Sequence, residues 1–195
     1  VQQSPLDSLK ELQHICRSHL SNPSMTLRVD LATAFGCPFS GNVTTAAVLR
    51  TVEKVAALGV REITLCDTVG FGHPKDVEEK FLACFRRFPE IRFGAHFHNT
   101  RGLAQANALR AYDIGVRSFD SSAGGLGGCP YAPGSSGNVA TEDLVFMFES
   151  MGIKTGMDLK KLLNVCAWLQ KILPQAKLSG SLFQAGLPHK HKLFC

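Results

Sequence analysis

Apolar positions along the chain fall into two alternating rhythms. Leu6, Leu9, Leu12, Ile15 and Cys16 recur at helical spacing behind Ser4-Pro5, a cap and first-turn pair, and predict an opening helix. The β-rich stretch 26–35 follows. A helix is expected over 44–58, opened by Thr44, closed by Gly59, and carrying Ala46, Val48, Leu49, Val52, Val55 and Ala56 on one face. Residues 61–68 read as a strand, Pro74 opens a helix to about 87, 91–98 read as a strand, and 102–114 as a helix closed by Gly115. Residues 116–122 form the last expected strand. After a glycine-rich stretch, helices are expected near 141–151 and 158–173.

Four strand-then-helix units with short connections are the pattern of a parallel sheet in an α/β fold. Polar residues collect where the strands end: Asp67-Thr68, His96 and His98, Asp120-Ser121-Ser122. In a (β/α)8 TIM barrel that end carries the active site, and a full barrel takes about 250 residues. The 195 residues with four visible strands therefore read as the C-terminal half of one barrel domain plus terminal helices, spanning residues 1–195 and truncated at its N-terminus. Such a half is expected to expose apolar strand edges and an apolar barrel interior.

Composition narrows the class. With 45% hydrophobic and 19% charged residues the chain reads as a soluble, intracellular globular protein. A net charge of +5 without a dense Lys/Arg tract argues against nucleic acid and fits an anionic small-molecule substrate. No apolar run reaches the roughly 18 residues of a membrane span, so no membrane partner is expected. The seven cysteines form no C-x-x-C pair and read as reduced thiols, with Cys66 and Cys84 as small buried side chains.

His96 and His98 lie two apart at a strand end, so both imidazoles face one side, a common way to build half of a divalent-metal site. A strand histidine without such a partner is ordinarily a core or surface residue. His14, His19, His73, His189 and His191 have no such partner and read as solvated. The glycine-rich segment 121–138 cannot be helix or strand; Cys129, Tyr131 and two prolines distinguish it from a Ser/Gly linker and suggest a mobile or anion-cradling loop. Cys129, between Gly128 and Pro130, has a setting in which a thiol can react. Asn138 is either a turn residue or an amide-oxygen ligand suited to a hard cation.

The runs GCPFSGNV (36–43), LCDTVGFGHP (65–74), HFHNTRGLAQANALRAYDIGV (96–116) and AGGLGGCPYAPGSSGNVATEDLV (123–145) together resemble the 3-hydroxy-3-methylglutaryl-CoA lyase family, continuously from about Arg28 to Leu163. Ala123-Gly124-Gly125 departs from the family's more usual Val-Ala-Gly, and the tail LPHKHKLFC, ending in Cys195, matches nothing placed. The resemblance implies Mg2+ or Mn2+ held by His96, His98 and Asn138, Cys129 as a catalytic loop thiol, and His96 as a further proton donor. It implies cleavage of the CoA thioester to acetyl-CoA and acetoacetate, a step of leucine degradation and ketone-body formation. The family's Arg-Asp pair at the end of the first barrel strand has no counterpart here, since Arg28-Val29-Asp30 belongs to a later strand. The chain would then carry three of four protein ligands and be inactive alone, unless Asp67 or Asp120 completes the shell. Alternatives are a lyase for a related 3-hydroxyacyl-CoA, a Claisen-condensing synthase of the same fold, and an inactive fragment. The full-length protein is expected to be a homodimer in the cytoplasm, or in the mitochondrial matrix of a eukaryote.

Overall fold

A computed structural model describes residues 5–20, 26–128 and 137–188. Its elements are α1 (Pro5–Leu20), β1 (Arg28–Leu31), α2 (Thr45–Ala56), β2 (Glu62–Asp67), α3 (Pro74–Arg87), β3 (Arg92–Phe97), α4 (Ala104–Asp113), β4 (Ser118–Asp120), α5 (Thr141–Ser150), α6 (Leu159–Ile172) and α7 (Ser181–Ala185). The local signals explain most boundaries. Thr44 caps α2 by accepting from the Ala47 N–H at 3.2 Å. His73, expected to be merely solvated, is exposed but caps α3: its Nδ1 accepts from the Asp76 N–H at 3.2 Å, with Pro74 in the first turn. The two outer strands are shorter than the pattern suggested, and the one-turn-and-a-half helix α7 had no apolar rhythm to announce it.

The four strands are all parallel, in the order β1-β2-β3-β4. Alternation sorts their side chains. Ile63, Leu65, Phe93, Ala95 and Phe97 are buried against Val48, Val52, Phe81 and Ala108 from the helices, with Val29, Leu31 and Phe119 alongside. Each fully buried Ile, Leu or Phe here contributes about 1.5–3 kcal/mol. Cys84 belongs to this core, as its apolar surroundings implied.

The opposite face departs from expectation. It carries Arg28, Asp30, Thr64, Cys66, His96 and Asp120, so the surface corresponding to a barrel interior is polar and not apolar. Its shape is shown by a long-range ion pair. The Arg28 Nη1 and Nη2 donate to the two carboxylate oxygens of Asp120 at 2.9 and 3.0 Å, joining the first strand to the last. Flat strands in those positions would stand three spacings of about 4.8 Å apart. The sheet is therefore rolled into a concave wall, as in a (β/α)8 barrel. Among the described residues no helix is long and apolar enough to cross a membrane.

Behind the sheet, α5 and α7 are held by buried acids. Asp143 accepts from the Ser181 and Leu182 N–H groups at 2.9 and 2.7 Å, capping α7. Glu142, fully buried, accepts from the Gly124 N–H at 3.0 Å. A Cβ at Gly180 would overlap the Glu142 Oε1. Gly180→Ala should therefore displace Glu142 and destabilise the full-length protein by about 2 kcal/mol, read as a lowered midpoint in urea unfolding. A midpoint matching wild type would mean that Glu142 moves freely.

Candidate metal centre

The site is built at the C-terminal end of β3, where the backbone brings three remote segments together. His96 stands in register between Cys66 of β2 and Asp120 of β4 on the concave face. Two residues on, His98 shares that face, and the imidazole centroids are 5.2 Å apart. The returning chain runs past this end: the Asn99 N–H donates to the Gly137 carbonyl and the Val139 N–H to the Phe97 carbonyl, both at 3.0 Å. Asn138 and His98 face each other as an isolated bridge. Three of the residues singled out from sequence, His96, His98 and Asn138, are thus brought together.

Asn138 is oriented with care. Its Nδ2 donates to the Leu126 carbonyl at 2.8 Å, which leaves Oδ1 buried with no hydrogen-bond partner. Gly127, at φ +102°, makes this approach possible, since a Cβ there would lie 2.8 Å from Nδ2. An amide oxygen buried without a donor costs on the order of 1–3 kcal/mol. Its place beside two imidazoles fits a bound cation, and two nitrogens with one amide oxygen suit a hard or borderline divalent metal.

The electrostatics agree. Burial, helped by the neighbouring His96, pushes His98 down to about 4, so it is a neutral lone-pair donor at ordinary pH. Cys66 lies on the same face but is buried, and burial raises its thiol far above the usual range. It is no nucleophile here.

The two spare carboxylates behave differently. Asp67 does not face the site: it belongs to the helix-facing set, and its oxygens accept from the Phe71 and Gly72 N–H groups at 2.8 and 3.0 Å. Burial raises its carboxyl, opposed by those N–H groups. It organises the turn after β2, which the Asn107 Nδ2 tethers through the Gly72 carbonyl at 2.9 Å. Asp120 does face the site, with Oδ2 3.4 Å from the His96 Nδ1, but both its oxygens are engaged by Arg28. Among the described residues, no group of three or more His, Cys, Asp or Glu side chains converges as a metal site. Cys129, His189, His191 and Cys195 lie outside the described residues.

Sequence reasoning passed over two groups. Arg28 was set aside because its strand is not the first of a barrel, yet its reach across the wall touches the site. Glu142, in the first turn of α5, holds the Gly124 turn at the root of the glycine-rich segment, which helix-end electrostatics alone would not reveal. The T-E-D run at 141–143 was the only signal for it.

The HMGL-like family model matches residues 8–168. A hydroxymethylglutaryl-CoA lyase of Bacillus subtilis is 44% identical over 171 residues, covering 88% of this chain and 57% of that protein. The (R)-citramalyl-CoA lyase of Chloroflexus aurantiacus is 40% identical, covering 80% of this chain and 49% of that one. Among solved structures, an HMG-CoA lyase from Acinetobacter baumannii, in complex with coenzyme A and 3-methylmalate, superposes with a TM-score of 0.90 at 38% identity, over 98% of this chain and 62% of that one. The chain thus spans about half the length of the curated relatives it matches. A match of this extent, together with the rolled parallel wall, shows that the chain belongs to the HMGL-like family.

Proposed function

We propose that this chain is the C-terminal, metal-holding part of a carbon–carbon lyase that cleaves 3-hydroxy-3-methylglutaryl-CoA into acetyl-CoA and acetoacetate. The observation that carries the reading is the buried, unpartnered Asn138 Oδ1 beside His96 and His98. The similar lyases and the coenzyme A bound in a structural relative support the substrate class. A divalent cation, Mg2+ or Mn2+, would acidify the tertiary hydroxyl of the substrate when bound. The protein's own part is to hold three donors in place: His98 through its burial, Asn138 through Leu126, and His96 at the strand end. As the hydroxyl gives up its proton to a basic side chain or to water, its oxygen becomes the ketone of acetoacetate, the carbon–carbon bond breaks, and that bond's electrons leave on the thioester enolate. That enolate then takes a proton, for which the Cys129 thiol and an imidazole are the donors available in this sequence.

A related 3-hydroxyacyl-CoA is the specific alternative, favoured by the comparable identity to a citramalyl-CoA lyase. Assaying both thioesters with the full-length protein separates them. Turnover of 3-hydroxy-3-methylglutaryl-CoA at no more than a trace of the citramalyl-CoA rate would overturn the primary reading.

Three outcomes follow in the full-length protein. His98→Ala and Asn138→Ala should each weaken Mn2+ binding by at least tenfold in calorimetric titration, about 1.4 kcal/mol or more; undiminished affinity in both would sink the metal reading. Cys129→Ala should lower kcat by more than about tenfold with Mn2+ affinity unchanged, since a loop thiol acts on substrate and not on the ion. The third concerns pH. His98 titrates at about 4 when folded against 6.5 in its ordinary state, so between these values the unfolded chain binds the extra proton. Metal-free stability should fall as pH drops from 6.5 toward 4, and His98→Gln should flatten that segment of a stability profile.

A further inference from the structure

Asp120 is the carboxylate nearest the proposed metal centre, and its geometry is not that of a ligand. Arg28 grips it with two donors, at 2.9 and 3.0 Å, and is itself backed by Asp30, whose Oδ1 is 3.0 Å from the Arg28 Nε. A bidentate guanidinium–carboxylate pair fixes orientation as well as position. What remains of the Asp120 Oδ2 coordination faces the His96 Nδ1, 3.4 Å away and one strand over in register. A carboxylate can only accept, and an imidazole nitrogen turned toward it with a lone pair would meet two oxygen lone pairs.

We propose that Asp120, clamped by Arg28, is the positioning residue of His96: it takes Nδ1 as the proton-bearing nitrogen and leaves Nε2 as the lone-pair donor. The inference rests on the metal reading above and deepens it. Histidines that ligate metals commonly give their second nitrogen to a carboxylate, which fixes tautomer and ring orientation. Here that carboxylate is anchored across the whole concave wall, so the ring's aim is tied to the curvature of the sheet. Asp120 touches neither substrate nor metal in this scheme. Its effect passes through His96.

The test uses full-length, metal-free protein with 15N-labelled histidine at pH 8, where long-range 1H–15N correlations report which ring nitrogen carries the proton. Wild type should show His96 mainly as the Nδ1–H form. In Asp120→Asn the amide oxygen stays with Arg28 and the NH2 turns to His96, so the tautomer should invert to Nε2–H, while His98 signals stay in place. Mn2+ affinity should then fall by about 10- to 100-fold, as for other second-layer partners of metal-bound histidine. A purely structural Asp120 would lower the unfolding midpoint without moving the tautomer. An Nε2–H majority in wild type, or an unchanged His96 tautomer in Asp120→Asn, overturns the proposal; the wild-type spectrum decides it even if the variant does not fold. Failure of wild type to bind Mn2+ would instead overturn the metal reading, and the metal-free spectrum tells the two failures apart.

Discussion

The contact between Arg28 and Asp120 is the constraint on which the geometry of the site turns. It joins residues 92 positions apart, on the first and last strands of a four-stranded wall. Arg28 is exposed and Asp120 half-buried, so what sets the pair apart from an ordinary surface ion pair is its two-point geometry, which leaves little rotational freedom. It places an anion beside His96 and spans the curve that turns one face of the sheet into a concave wall. An uncharged contact between the same strands could hold the curve, but would leave His96 without a fixed acceptor.

The second constraint is made of backbone. Asn138 reaches His98 because residues 137–139 run along the end of β3 and exchange main-chain hydrogen bonds with it. The Gly124 turn, pinned by Glu142, and the close approach at Gly127 set where that return segment begins. The placing of Asn138 therefore depends on glycines and on a buried acid.

Much of the fold was legible because the sequence separates its two periods cleanly. Period-two runs at Ile63-Leu65 and Phe93-Ala95-Phe97 announced strands, and Pro74, Gly59 and Gly115 marked helix ends. The H-x-H pair needed nothing more than strand alternation. The polar interior was harder to see: Arg28, Asp30, Thr64 and Cys66 alternate with apolar residues in the usual way, and nothing local says whether the polar side faces water or a barrel's centre. The Arg28–Asp120 pair was invisible for the same reason, since pairing across 92 residues depends on sheet curvature. Helix α7 escaped because its cap, Asp143, lies on another helix.

The fourth ligand illustrates how packing decides between equivalent residues. Asp67 and Asp120 both end strands, and by sequence either could complete a metal shell. Parity separates them: Asp67 shares the helix-facing register of Ile63 and Leu65, whereas Asp120 shares the concave register of His96. Within that register charge separates them again, because Arg28 already engages both Asp120 oxygens. Drawing Asp120 onto a cation would strip Arg28 of its partner and set it against Asp30 alone. The carboxylate is thus better placed one layer out, as an anchor for the imidazole.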